Sequence, residues 1–455
     1  MPEQDVYRTQ GRARMRFDYK GSLCVLTFCI AYAVSVLVVL PPNLMNGELV
    51  VSSYSKAFSL PKTILCIMVV FLLKYILSCT VNREGTVSYY ALRVLFFLYE
   101  IPVVLSYGLF AHDNFLTFWI AEIVYWVLIC VVCGLFGKIR SIRIGSRTLD
   151  ETGKGVRFVL LGIVLCGLVL SIRKVGGFSF SMEFLRGVYE ARAYYKENTS
   201  DVITFFKTAL GAFLCPCMIV FYCIRKRPVA TCGAVLIQMC FFFLAKDKIY
   251  LFLIPLSLLV GILGYKLVLF FNGFLHAGYL LYGIALIATT FGFMQNMIYT
   301  VLTRRVMVVP SYFSYVYYDY FTKNPPIWWR QDTFLIDKFF TQPYPRYIPL
   351  QISHVYFNDL EGNPNAGMFA EAISRCGYFG VLIYPVIFCL MLRLMDKFYA
   401  RAEKEVRVMM GICLALIVSN DVITSTMFVV VYAMVLLGSV YFNKRDAEEK
   451  YESLR

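Results

Sequence analysis

Apolar runs approaching twenty residues recur along the whole chain, separated by short polar links, and few folds can absorb that pattern. The runs fall at about residues 21–40, 62–79, 88–110, 115–137, 157–172, 203–224, 229–245, 249–265, 277–301, 377–394, 408–420 and 422–442. A helix needs about 20 apolar residues to cross ~30 Å of hydrocarbon, so the runs read as about twelve membrane-spanning helices. Run 408–420 is the shortest. Within lipid every backbone N–H and C=O must be satisfied inside the segment, which leaves helices as the fold for such runs. Composition agrees: 59% of the 455 residues are hydrophobic and 16% are charged, with a mean hydropathy of +0.65. Soluble domains sit nearer 45–50% and about 25%. The predicted class is all-α, a polytopic integral membrane protein.

A net charge of +15 could indicate nucleic acid. Its distribution argues otherwise, because the excess lies in the short links where the positive-inside rule puts it. Arg8, Arg12, Arg14, Arg16 and Lys20 precede the first run and predict a cytoplasmic N-terminus. Counting helices from there puts Lys138 to Lys154, Arg225 to Arg227, Arg393 to Arg407 and Lys444-Arg445 on the same side, so both termini are expected inside. No cleavable signal peptide is evident, since the first run lacks a small-residue cleavage site. The 15 cysteines lie mostly within apolar runs, where cysteine behaves as a small hydrophobe. No zinc-ligand spacing stands out, and His112, His276 and His354 are scattered. No metal, cofactor or nucleic acid is expected.

The same alternation leaves two polar stretches outside, dividing the chain into five parts. These are an N-terminal transmembrane bundle (1–172), a first outer loop (173–202) and central transmembrane helices (203–301). A large outer loop (302–376) and the C-terminal helices with a cytoplasmic tail (377–455) complete it. Inside the spans, Lys74 and Arg93 are expected to snorkel, and Glu100 and Glu122 to make structural hydrogen bonds inside the bundle. Lys207, one turn below the first outer loop, is expected to snorkel or to meet an anionic headgroup.

The outer stretches carry arginines that topology does not require: Arg186, Arg192, Arg304, Arg305, Arg330 and Arg346. Guanidinium groups bind phosphate oxygens bidentately and stay charged. The large loop is crowded with aromatic residues, among them Tyr318, Trp328 and Trp329, whose flat faces suit stacking on sugars. It also holds Asp319, His354 and Glu371, each able to take a proton from an acceptor hydroxyl. Phosphate-binding cations, sugar-stacking rings and a base at a membrane surface suggest a lipid-diphosphate-linked glycan as substrate. Arginine can neutralise the departing diphosphate without a metal.

The end of the large loop, Asn365, Glu371, Gly377 and Gly380, resembles a pattern of the repeat-unit polymerases of O-antigen and capsule (the Wzy type). So does its start, Arg304-Arg305, Pro310, Tyr317-Tyr318-Asp319-Tyr320-Phe321 and Asn324-Pro325. Lys246-Asp247-Lys248 and Ser419-Asn420-Asp421 are weaker similarities. The chain lacks an arginine followed at a fixed distance by glycine in both outer loops, a feature of some members. The resemblance covers roughly the second half of the chain. It implies a GT-C-like bacterial inner-membrane glycosyltransferase with two large periplasmic loops, using undecaprenyl-diphosphate-linked oligosaccharide as both donor and acceptor. Membrane lipid and a chain-length regulator are the implied partners. Under that reading Arg192, Arg304, Arg305, Arg186 and Arg346 contact the diphosphate. His354, Glu371 and Asp319 are base candidates, and Tyr318, Trp328, Trp329 and Asn365 contact sugar. Asn365 and Gly367 also suit the turn that re-enters the membrane. An O-antigen ligase would share the donor. A lipid-linked oligosaccharide flippase would show repeated halves and short outer loops instead.

Overall fold

The computed structural model describes residues 19–39, 55–56, 58–111, 114–138, 162, 169, 173, 201–245, 247–290, 303, 306–331, 339–358, 364, 367–419 and 423–442. Helices account for nearly all of them. In chain order they are α1 (Tyr19–Val39), α2 (Leu60–Thr80), α3 (Val87–Leu95), α4 (Ile101–Leu109), α5 (Phe115–Lys138), α6 (Asp201–Thr208), α7 (Cys215–Ile224) and α8 (Pro228–Ala245). There follow α9 (Lys248–Leu269), α10 (Phe271–Thr290), α11 (Val309–Lys323), α12 (Ile348–Phe357), α13 (Met368–Cys376), α14 (Tyr378–Phe398), α15 (Lys404–Val418) and α16 (Thr426–Phe442). The strands among the described residues are β1 (Ser55–Lys56) and β2 (Phe110–Ala111), which pair antiparallel. Among the described residues, 8 helical stretches are long and apolar enough to cross a membrane: Lys20–Val38, Leu60–Thr80, Val87–Leu109, Phe115–Gly137, Thr204–Ile224, Lys248–Leu269, Phe271–Ala288 and Tyr378–Phe398. The other expected runs form the shorter α8, α15 and α16, or lie at 157–172, where only residues 162 and 169 are described.

Two spans are welded through π-helical turns. Phe96–Glu100 joins α3 to α4, and Ala209–Leu214 joins α6 to α7. A π-turn leaves backbone carbonyls off the regular ladder. At the second turn the buried Gln238 side chain supplies a donor, its Nε2 reaching Gly211 O at 2.8 Å and Tyr250 O at 3.1 Å. At the first turn Tyr99 donates to Glu122 Oε1 at 2.6 Å and lies 2.7 Å from Ser314 Oγ on α11. Glu100 and Glu122 are both buried, as expected. Glu100 Oε1 and Glu122 Oε2 find no hydrogen-bond partner among the described residues.

Two charges behave differently from the sequence expectation. Arg93 does not snorkel. Its Nε donates to Asn272 Oδ1 at 3.0 Å, its Nη1 to Val81 O at 3.1 Å, and its guanidinium lies over the Tyr89 ring. Lys207 is buried against Asp247 at 3.0 Å instead of reaching a headgroup. In both cases a partner from a distant part of the chain supplies what water would otherwise provide.

The basic turns at 225–227 and 393–407 share one end of the bundle. Arg225 meets Glu403 at 3.1 Å there, and the amide and hydroxyl of Ser88 bind Asp396 at 2.9 and 2.6 Å. Helix α15 runs from that end to the opposite one, where Ser419 and the 423–425 turn lie. At that opposite end the stretch expected as a loop is folded. Its described part forms α11, α12 and α13, and every residue from Pro310 to Phe321 is buried. A helix apolar or aromatic on all sides is covered on all sides. Phe115 stacks on Tyr315, Phe118 packs on Tyr318, and Ser314 meets Tyr99 about ten residues, or ~15 Å, in from the end of its span. Tyrosines 317 and 318 satisfy their hydroxyls on Pro364 O and Tyr378 OH, both at 3.0 Å. Those internal partners are why a run so rich in tyrosine can be buried.

Candidate functional site

Of the candidate residues, Glu371 lies on α13. This helix is buried along its whole length, and three glycines, the last two from the sequence pattern, fix it. Gly367 caps its N-terminus, where an added Cβ would lie 2.7 Å from Ser419 O. Gly377 ends it at φ 56°, in the left-handed region that only glycine adopts freely. Gly380 lets α14 pack backbone to backbone on it, since a Cβ there would overlap Ala372 O at 1.9 Å.

Glu371 projects from the first turn of α13 into the turn between α15 and α16. Its Oε2 accepts from Ile423 N at 2.6 Å and its Oε1 from Thr424 N at 2.9 Å, from the Thr424 hydroxyl and from Tyr384 OH at 3.3 Å. Burial pushes its pKa up, while Arg375 one turn along the helix and the Thr424 and Ile423 donors pull it down. The carboxylate therefore ties α13 to the α15–α16 turn.

The other end of α13 holds the turn at 327–331. Its last carbonyls, which have no partner within the helix, are taken by the turn. Ile327 N donates to Ser374 O at 2.9 Å and Trp328 N to Arg375 O at 2.8 Å. Arg375, buried, donates from Nη1 to Gln331 O. Trp328 and Trp329 both take left-handed backbone angles, with φ of 49° and 58°. Each such residue costs on the order of 1–3 kcal/mol and persists only where its surroundings over-determine it. Here Trp329 is locked by stacking on Tyr384, with ring planes 7° apart, and by an Nε1 bond to Tyr384 OH at 3.2 Å. Trp328 stays 46% exposed, leaving a ring surface open.

Between this turn and α12 lies a cavity of about 20 Å³, lined by Tyr317, Gln331, Tyr347, Ser374, Arg375 and Glu371 among others. That is room for about one water. The first residues of α12, Ile348 and Pro349, also line it, so a helix N-terminus with its partial positive charge borders the space. Arg346 stands immediately before, its carbonyl receiving Gln331 Nε2 at 3.0 Å. Its own Nη1 is buried and finds no acceptor among the described residues.

The candidates are thus distributed unevenly. Asp319 is buried with Lys323 Nζ at 2.8 Å and Tyr356 OH at 2.7 Å, a cluster separate from that of Glu371. His354 sits on the exposed face of α12. Tyr318 is fully buried between Phe118 and Phe369 and offers no free ring face. Arg330 closes its own turn by donating from Nε to Ile327 O at 3.2 Å. Arg186, Arg192, Arg304, Arg305 and Asn365 lie outside the described residues. Sequence reading missed Arg375 and Gln331. Arg375 could have been found from its spacing, one helical turn after Glu371 on the same face, a pairing distance for opposite charges. Gln331 carries no such signal. Among the described residues no group of three or more His, Cys, Asp or Glu side chains could hold a metal ion. No protein-family model, curated protein or solved structure matches the chain.

Proposed function

We propose that the chain is a GT-C-like glycosyltransferase that polymerises undecaprenyl-diphosphate-linked repeat units into a surface glycan, in a bacterial inner membrane. The observation that supports this reading best is the Nη1 of Arg346, buried and without an acceptor among the described residues. A buried guanidinium N–H without an acceptor is costly, and an anion arriving at that nitrogen removes the cost. Arg346 directly precedes Tyr347 and Ile348, which line the small cavity together with Arg375, and the sequence pattern around it resembles the repeat-unit polymerases.

In the reaction an acceptor hydroxyl oxygen attacks the anomeric carbon of the donor sugar. The bond from that carbon to the diphosphate oxygen breaks, the diphosphate leaves with the electron pair, and the hydroxyl proton passes to a base. Arg346 and Arg375 offset the charge that develops on the leaving oxygen. Trp328 offers a ring for a sugar face. His354 is the base this arrangement favours, because the carboxylates of Asp319 and Glu371 are already held by strong donors. The cavity holds about one water, so donor entry requires α12 and the 327–331 turn to part.

Deleting the protein from a strain with an intact ligase is expected to leave surface glycan of a single repeat. The parent sequence restores the ladder of longer products. Arg346→Gln is expected to accumulate like the parent, since its guanidinium makes no hydrogen bond or ion pair among the described residues, yet to lose polymer at least ~10-fold, the scale of one charge-assisted bond. Full-length polymer in the deletion strain, or no surface repeat at all, contradicts the polymerase reading. A normal ladder from Arg346→Gln removes the arginine from it.

A further inference from the structure

At the basic end of the bundle, remote from Glu371, a cleft of about 410 Å³ opens between the ends of α2, α5 and α14 and the turn leading into α3. It plays no part in the proposed reaction, and it is of the size that small-molecule sites occupy. Two glycines on α5 keep it open. A Cβ on Gly134 would lie 3.1 Å from Thr80, and one on Gly137 would point at Arg83, 3.7 Å from its Nε.

The chemistry of the cleft is graded. Its rim carries Arg83 and Arg393, and its floor carries Asp396. That carboxylate is already committed, because Ser88 N binds Oδ1 at 2.9 Å and Ser88 Oγ binds Oδ2 at 2.6 Å. Arg83 is exposed and makes no ion pair among the described residues. Two guanidinium groups against one carboxylate leave a net positive charge in the cleft for a ligand. From the rim the wall turns apolar along α5 through Val131 and Leu135, which are 40% and 54% exposed on a membrane-spanning helix. A ligand that fits this gradient has an anionic head and a hydrocarbon tail. Basic pockets between membrane helices are sites for such headgroups.

We propose that this cleft binds one anionic phospholipid, its phosphate against Arg83 and its acyl chains along Val131 and Leu135. Charge complementarity selects an anionic over a zwitterionic headgroup, and the apolar wall selects a lipid over a free anion. A ligand that binds only the folded state raises its melting temperature in a saturable way.

The test uses the full chain, purified in a neutral detergent and delipidated. Phosphatidylglycerol, phosphatidylcholine or inorganic phosphate is titrated in while the thermal transition is followed. Phosphatidylglycerol is expected to raise Tm by several degrees and saturate, with the other two producing at most a small fraction of that shift. Arg83→Gln is expected to weaken the apparent affinity at least ~5-fold, in line with loss of one charged contact. Gly137→Leu, which fills the cleft, is expected to abolish the shift. Native mass spectrometry should count one retained phosphatidylglycerol on the parent, and a clearly smaller bound fraction on Arg83→Gln at a lipid concentration near the parent's half-saturation, a readout that stands even if Gly137→Leu does not fold. An equal shift from phosphatidylcholine or from inorganic phosphate overturns the proposal. So does a phosphatidylglycerol response that Arg83→Gln leaves unchanged.

Discussion

Replacing Gly380 with alanine is expected to remove most folded protein from the membrane. The added Cβ would sit 1.9 Å from Ala372 O and 2.4 Å from Ala372 C, which are backbone atoms of α13 and cannot swing aside. Relief requires α14 to move away from α13, and that separates Tyr384 from both Glu371 and Trp329. Overpacking a dense core costs about 1–3 kcal/mol and sometimes more; with backbone as the obstacle the upper end or beyond is expected. Gly85 provides the control, because nothing lies within 4 Å of a Cβ there, although its φ of 83° adds some strain. Membrane accumulation and Tm in detergent check the comparison. Gly380→Ala accumulating and melting like the parent would mean that the α13–α14 contact is looser than described.

The second large effect is expected at Glu371. Alanine there strands the amides of Ile423 and Thr424 and removes the buried negative charge one turn from Arg375. Breaking a buried charged network by deleting one member costs about 3–5 kcal/mol. Glutamine keeps an acceptor oxygen but gives up the charge and turns an NH₂ donor toward other donors, so a loss of about 1–3 kcal/mol is expected. Thermal unfolding should therefore rank parent above Glu371→Gln above Glu371→Ala, with polymer yield following the folded fraction. If Glu371 instead takes the acceptor proton, Glu371→Gln will make no polymer even where its folded fraction is substantial.

The sequence made the helices legible because hydrocarbon imposes one rule on every span: about 20 apolar residues with their backbone bonds satisfied internally. It made the shared basic end legible too, and the contacts of Arg225 with Glu403 and of Ser88 with Asp396 bring those turns together. The burial of α11 was not legible. A tyrosine reads as polar or interfacial until its hydroxyl partner is known, and the partners Pro364 and Tyr378 lie 47 and 60 residues away. Arg93 and Lys207 failed for the same reason, since Asn272 and Asp247 are 179 and 40 residues distant. The pattern Glu371, Gly377, Gly380 was visible as a pattern only. Its physical content is a carboxylate clasp, a left-handed turn and a backbone contact, each needing three dimensions to be seen. Local spacing could have paired Arg375 with Glu371. No local signal could have shown that the Arg346 Nη1 would be buried without an acceptor among the described residues.

Reconstitution tests the central claim most directly. The purified chain is placed in liposomes with undecaprenyl-diphosphate-linked repeat units as the only glycan, in the presence of a chelator. Products are resolved by length, and released undecaprenyl diphosphate is counted. A polymerase is expected to give a ladder of lengthening glycans with one undecaprenyl diphosphate freed per new linkage, and Arg346→Gln is expected to suppress both together. Repeat units that remain intact on their carrier, whether or not they have crossed the bilayer, would contradict the account.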